Sequence, residues 1–168
     1  MHLQKIKRLL HLIEGKQTGK PAELAQKLGV SRRMIYNYFK LVKEELGVPL
    51  AFDNYKQSFI FPYSGRICWE FSTKSQKQTP CNQFKNKQLR TLCQLVQLLH
   101  MANTGSAKQL ATTLHISERT LFNYLDLLKN VFHCPIRFDH QRNSYVFENE
   151  GTVNFLWENT DCNLVAQT

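Results

Sequence analysis

The chain states one pattern twice. Adding 86 to a residue number in its first part brings the pattern back with no gap: Thr18-Gly19 becomes Thr104-Gly105, Leu24-Ala25 becomes Leu110-Ala111, and Ser31 becomes Ser117. Asn37-Tyr38 returns as Asn123-Tyr124, Pro49 as Pro135, Phe52-Asp53 as Phe138-Asp139, Ser58 as Ser144 and Phe61 as Phe147. Between residues 1–61 and 87–147, 19 of 61 aligned positions are identical, and most others exchange like for like, as Ile6 with Leu92 and Val30 with Ile116. Two copies at so long a period describe a tandem pair of folding units, not a solenoid.

A chain of 168 residues could hold one domain or two small ones, and the repeat decides for two. The expected division is a domain over 1–71, a polar linker over 72–86, a second domain over 87–157 and a tail over 158–168. The net charge is +9. Residues 1–71 hold 12 Lys/Arg against 6 Asp/Glu, residues 72–86 hold 3 Lys and no acid, and residues 87–168 hold 7 of each. Positive charge therefore concentrates in the first repeat and the linker, where a polyanion is the expected partner. No run approaches the roughly 18 apolar residues of a membrane span, and the N-terminus lacks the apolar core of a signal peptide. The five cysteines are scattered without a Cys-x-x-Cys pair. They are read as reduced, in a cytoplasmic protein, with neither a disulfide framework nor a zinc site.

Each repeat opens on an amphipathic helix, with Leu3, Ile6, Leu10 and Ile13 at helical spacing and Leu89, Leu92, Val96 and Leu99 matching them. A loop at Thr18-Gly19 or Thr104-Gly105 leads to a second, short helix. Pro21 suits the first turn of one copy, and Ser106 to Gln109 has capping-box spacing in the other. Ser31 and Ser117 are the expected N-caps of a third helix. Its buried stripe is Ile35, Phe39, Val42 and Leu46 in the first copy and Leu121, Leu125, Leu128 and Phe132 in the second. The period then changes to that of strands, at 49–53 and 58–61 and again at 135–139 and 144–147, around polar turns. A third short strand is expected at 66–71 and at 152–157.

Three helices and a hairpin give the expected fold class: α+β, mainly α, with two tandem winged helix-turn-helix domains. The string Leu24-Ala25-x-x-Leu28-Gly29-Val30-Ser31-Arg32-Arg33-x-Ile35-Tyr36 resembles the helix-turn-helix of biotin-repressor-type and DeoR-type regulators. With Thr18-Gly19-x-Pro21, Gly47-x-Pro49 and Ser58-Phe59-Ile60-Phe61 added, residues 1–71 are similar to small winged-helix proteins of Bacteroidetes-like bacterial genomes. Residues 87–157 follow the same pattern less closely. The resemblance implies DNA binding, although winged helices also serve as protein-interaction modules.

In such a fold the third helix enters the major groove with its N-terminal residues at base edges. With the core stripe assigned, the outward positions of the first copy are Ser31, Arg32, Arg33, Tyr36, Asn37 and Lys40. Arg33 and Asn37, four apart, share a face. Arginine suits guanine O6/N7 and asparagine suits adenine N6/N7. Tyr36 suits a thymine methyl or a phosphate, and Ser31 with the helix N-terminus suits a phosphate. Lys56 at the wing tip would reach a neighbouring phosphate or the minor groove. The second copy keeps Arg119 and Asn123 and offers Arg142 at its wing. It also replaces Arg32 by Glu118, Lys40 by Asp126 and Tyr36 by Phe122, so it reads as the weaker reader or as a homodimerising half. Tyr38 and Tyr124 flank the core stripe and read as packing residues.

The six histidines show no paired metal spacing, and no nucleophile triad, phosphate-binding glycine loop or paired-carboxylate motif is present. The expectation is a protein without cofactor or enzymatic activity. It would bind double-stranded DNA sequence-specifically and regulate transcription by occupying a site. Two alternatives stand beside it: a replication or recombination accessory factor of a mobile element, and a tandem winged-helix interaction module of the segregation/condensation kind.

Overall fold

A computed structural model describes residues 3–67, 71–72, 80–151, 153, 155 and 157–159. In chain order the elements are α1 (Leu3–Glu14), α2 (Pro21–Leu28), α3 (Arg32–Glu44), β1 (Ala51–Asp53), β2 (Ser58–Ile60), β3 (Gly65–Ile67), a 3-10 turn (Cys81–Gln83), α4 (Lys87–His100), α5 (Ala107–Thr113), α6 (Glu118–Asn130), β4 (Ile136–Asp139), β5 (Ser144–Phe147) and β6 (Trp157–Asn159). The protein is thus mainly helical with small antiparallel sheets, consistent with the α+β class of winged helix-turn-helix proteins. It divides into two compact units, one of residues 1–68 with 156–168 and one of residues 69–155.

The helices form where the apolar spacing places them. Leu3, Ile6, Leu9, Leu10 and Ile13 bury one face of α1, and Leu89, Leu92, Val96 and Leu99 do the same for α4. Pro21 begins α2. Ser106 closes a full capping box on α5 with Gln109, which satisfies two otherwise orphaned N–H groups. Ser31 and Ser117 cap α3 and α6, accepting from the Met34 and Thr120 amides. All four residues of each expected core stripe on the third helices are buried, as are Tyr38 and Tyr124.

The hairpins pair β1 with β2 and β4 with β5, both antiparallel. Phe52 sits opposite Phe59 and Phe138 opposite Tyr145, with ring centroids 4.9 and 4.8 Å apart. Cross-strand aromatic pairs of this kind are a main source of hairpin stability. Each turn is held by an aspartate. Asp53 Oδ1 accepts from the Tyr55 and Lys56 amides at 2.9 and 3.1 Å. Asp139 Oδ1 accepts from Gln141 and Arg142 at 3.0 and 3.3 Å.

A buried clasp fastens each hairpin to the loop after the first helix. The hydroxyls of Thr18 and Ser58 lie 2.9 Å apart. The Thr18 N–H donates to Ser58 Oγ at 3.2 Å, and the Phe59 N–H donates to Thr18 Oγ1 at 2.7 Å. Thr104, Ser144 and Tyr145 repeat the arrangement at 3.1, 2.9 and 2.7 Å. All four hydroxyl residues are buried, so each group depends on its partner in place of water.

Four expectations are corrected. The third strands begin and end elsewhere: β3 starts at Gly65, the later strand starts at Trp157, and these two pair with each other. Residues 68–70, 152, 154 and 156 of the expected strands lie outside the described residues. The stretch 80–86 is not linker. Phe84 is fully buried, Arg90 Nε and Nη2 both donate to its carbonyl at 3.0 and 2.7 Å, and Asn86 caps α4. The reading of all cysteines as reduced also fails, because the 3-10 turn folds Cys81 back onto α4, where it forms a disulfide with Cys93, Cα–Cα 5.5 Å. Cys134 is free and buried, and burial pushes its thiol up to about 12.

The charge division shifts with the boundaries. Residues 1–68 with 156–168 carry 12 basic and 7 acidic residues, +5, and residues 69–155 carry 10 and 6, +4. The second unit is therefore basic as well, because the Lys of 72–86 belong to it.

Replacing Thr18 with Val keeps the shape of the side chain but strands the Phe59 amide and removes one partner of the Ser58 hydroxyl. A loss of roughly 1–3 kcal/mol is expected in urea unfolding, with faster hydrogen exchange at Phe59. A change below about 0.5 kcal/mol, the ordinary range for surface substitutions, would show that the clasp is incidental.

Candidate nucleic-acid interface

The turn that aims α3 begins at Gly29, which takes a left-handed φ of 60° and closes α2 through N–H bonds of Gly29 to the Gln26 carbonyl (3.1 Å) and of Val30 to that of Ala25 (3.0 Å). Lys5 Nζ adds a bond to the Gly29 carbonyl at 2.9 Å, placing a cation at the end of α2 where the helix dipole is negative. In the second unit His115 occupies the equivalent left-handed position, φ 52°, a conformation costlier for a side chain than for glycine.

From that turn, α3 buries Ile35, Tyr38, Phe39 and Val42. The Phe39 ring meets Phe59 of β2 at 4.4 Å, so the helix is braced on the hairpin. The opposite face carries Ser31, Arg32, Arg33, Tyr36, Asn37 and Lys40, all six exposed. Tyr36 is 58% exposed while its ring edge rests on Phe39, centroids 6.3 Å apart. Among the described residues Asn37 makes only a long contact to Met34 Sδ, 3.8 Å. Arg32, Arg33 and Lys40 show no ion pair or hydrogen bond among the described residues. Three uncompensated cations thus line the start and middle of one helix face, beside an open depression at the α2–α3 turn lined by Ala22, Gln26, Gly29 and Arg32.

The hairpin of the first unit presents Lys56 and a residue that pattern reading passed over. Tyr55, at the tip, is 96% exposed. Its signal in the sequence was an aromatic residue inside the polar turn Asn54-Tyr55-Lys56-Gln57, where no core demands one. Lys56 is exposed, with Nζ 4.0 Å from Asp53 Oδ2.

In the second unit Arg119 and Asn123 are exposed on α6, with Glu118 and Asp126 on the same helix and Phe122 46% exposed. Neither Arg119 nor Asn123 has a hydrogen bond or ion pair among the described residues. Arg142 is exposed but its Nε lies 3.9 Å from Asp139 Oδ2, a carboxylate it shares with Arg137 Nη2 at the same distance. Each hairpin's cation thus lies beside its own turn aspartate, Lys56 by Asp53 as Arg142 by Asp139. Among the described residues no cluster of His, Cys, Asp or Glu could hold a metal ion, and no helix is long and apolar enough to cross a membrane.

A family model described as an HTH domain matches residues 2–54, from α1 through β1, about a third of the chain. The match covers the helix face described above and supports a helix-turn-helix domain over that segment. No curated protein and no solved structure matches the chain.

The Asp139 carboxyl lies below its ordinary value, first because the Arg142 amide donates to it. The Gln141 amide and the charges of Arg137 and Arg142 act in the same direction, and desolvation opposes them. A depressed carboxyl stabilises the fold above the unfolded value of about 3.9, and that contribution is lost as pH falls through the lower folded value. The Arg142 and Gln141 amide resonances are expected to titrate together with a midpoint below the unfolded value. A midpoint at or above about 4 would contradict the turn geometry.

Proposed function

We propose that the chain is a tandem winged-helix protein that binds double-stranded DNA sequence-specifically and regulates transcription by occupying its site, without chemistry of its own. The observation that carries this reading is the outward face of α3. Arg33 and Asn37 lie one turn apart, Arg32 and Lys40 flank them, and the cations have no internal partner among the described residues. Structural needs explain most other identities between the repeats: the clasp, the caps, the turn aspartates and the buried tyrosines. They do not explain why both third helices keep an exposed arginine and an exposed asparagine four apart. That pair matches the donors that read guanine and adenine edges in the major groove. Ser31 and the free N-terminal amides of α3 would seat a phosphate, and Lys56 and Tyr55 would follow the backbone beyond the groove.

The second unit takes a supporting part in this reading. Glu118 and Asp126 oppose phosphates on its recognition face, and Phe122 offers an apolar contact, so it reads a weaker half-site or joins two chains. Its own net charge favours DNA nearby over a purely protein-binding part.

Selection of bound duplexes from a randomised pool is expected to return a motif with one strong half. Arg33→Ala should relax preference at one base pair at a cost of about 1–3 kcal/mol. Lys56→Ala should weaken all sequences alike and flatten the salt dependence by about one unit. No enrichment at low or moderate salt would remove the DNA reading in favour of a protein-interaction module, and two equal half-sites would overturn the ranking of the units.

A further inference from the structure

Positions 86 apart should make equivalent contacts, each within its own repeat. At the end of each repeat they do not. In the second unit the Phe71 N–H donates to the Phe132 carbonyl at 3.1 Å, and the Phe71 ring lies 5.1 Å from that of Phe147. In the first unit the Trp157 N–H donates to the Leu46 carbonyl at 3.2 Å, and its ring lies 4.7 Å from that of Phe61. Leu46 and Phe132 are equivalent in the repeat, as are Phe61 and Phe147, and as are Phe71 and Trp157. One backbone bond and one ring contact therefore form twice, each time between the body of one repeat and the segment that follows the other.

Two further observations agree. β3, which ends the first repeat, pairs antiparallel with β6, with Gly65 opposite Asn159 and Ile67 opposite Trp157. At Gly151, the counterpart of Gly65, an added Cβ would overlap the Phe71 ring and the Ser72 carbonyl. Gly151 thus admits the closing segment of the first repeat. The division into units follows the same course, giving 156–168 to the first unit and 69–155 to the second.

We infer that the two repeats exchange their closing segments, and that Trp157, near the far end of the chain, is a positioning residue for the DNA-reading helix α3. Its bond reaches the carbonyl of Leu46, two residues past the end of α3, and its ring covers Phe61, next after β2. α3 is thus held at its C-terminal end by Trp157 and along its buried side by Phe59. Phe71 does for α6 what Trp157 does for α3. The exchange stands on contacts alone; the positioning part rests on the proposal that α3 reads DNA.

The experiment uses the full chain. Nuclear Overhauser contacts from the Trp157 indole are expected to the Phe61 ring; contacts to the Phe147 ring instead would overturn the exchange without any variant. In hydrogen exchange, Trp157→Ala should speed residues 44–61 at least about tenfold, about 1.4 kcal/mol of protection, and leave 130–147 unchanged. Phe71→Ala should do the reverse. Loosening of each variant's own repeat, or of both repeats equally, would overturn the exchange, and Trp157→Phe should restore most of the protection. On DNA, Trp157→Ala should weaken binding several-fold with an unchanged salt slope, since Trp157 faces no phosphate. Unaltered affinity alongside a loosened α3 would overturn the positioning part. A wild-type chain that binds no DNA would sink the DNA reading and leave the ring contacts and exchange pattern to decide the segment exchange on their own.

Discussion

The hairpin that braces α3 in the first unit is fixed to the rest of the fold through one buried hydroxyl. Thr18 Oγ1 accepts the Phe59 amide at 2.7 Å, the shortest bond of the clasp, and so sets where β2 lies against the loop between α1 and α2. The ring of Phe59 then sets Phe39, and Phe39 sets the rotation of α3. A single such bond contributes only about 1 kcal/mol net, but leaving its partners orphaned in a dry site costs more. The constraint is therefore geometric more than energetic: a hairpin displaced by an ångström would leave two polar groups unsatisfied. That the second unit repeats it with Thr104, Ser144 and Tyr145 shows that it belongs to the architecture and not to one site.

The sequence made the helices legible because their burial is periodic and their caps are chemical. Ser31, Ser117 and the Ser106–Gln109 box could be placed from residue type and spacing alone, and so could the outward face of α3 once the stripe through Ile35 and Phe39 was removed. The clasp was visible only as identity. Thr18 and Ser58 stand 40 residues apart, and nothing in either residue says that it is buried. Cys81 and Cys93 escaped for a related reason. Their spacing matches no local motif, and their approach depends on Phe84 anchoring a turn inside a stretch that polar composition marks as linker. The exchanged closing segments could not be read at all. Phe71 and Trp157 are both aromatic, and either could fill the place beside Phe61 or Phe147. Hydrophobic pattern chooses the type of residue for a site, while chain connectivity and packing choose which copy occupies it.

The repeat also separates structural from functional identity. Where two copies of a fold diverge freely, residues kept in both should have a reason in the fold or in a shared ligand. Asp53 and Asp139 have turn amides to accept, Gly19 and Gly105 share a left-handed φ of 69°, and Tyr38 and Tyr124 are buried. Arg33 with Arg119, and Asn37 with Asn123, are exposed and have no such task. On the same faces Arg32 stands against Glu118 and Lys40 against Asp126, so not every exposed position is held in common.

The differences between the copies are one-sided in charge. In the first unit the exposed helix face is all cation, hydroxyl and amide, and the hairpin tip adds Tyr55 and Lys56. In the second, acids stand on the helix face and Gln141 stands where the first unit has Tyr55. Each change weakens attraction to phosphate while leaving the Arg-Asn pair in place. Loss of backbone attraction with retention of base-reading groups lowers affinity more than it alters sequence preference. On the proposed DNA reading, a second unit of this kind would add discrimination to a complex whose binding energy comes mainly from the first. On that reading, the asymmetry fits two readers of unequal strength.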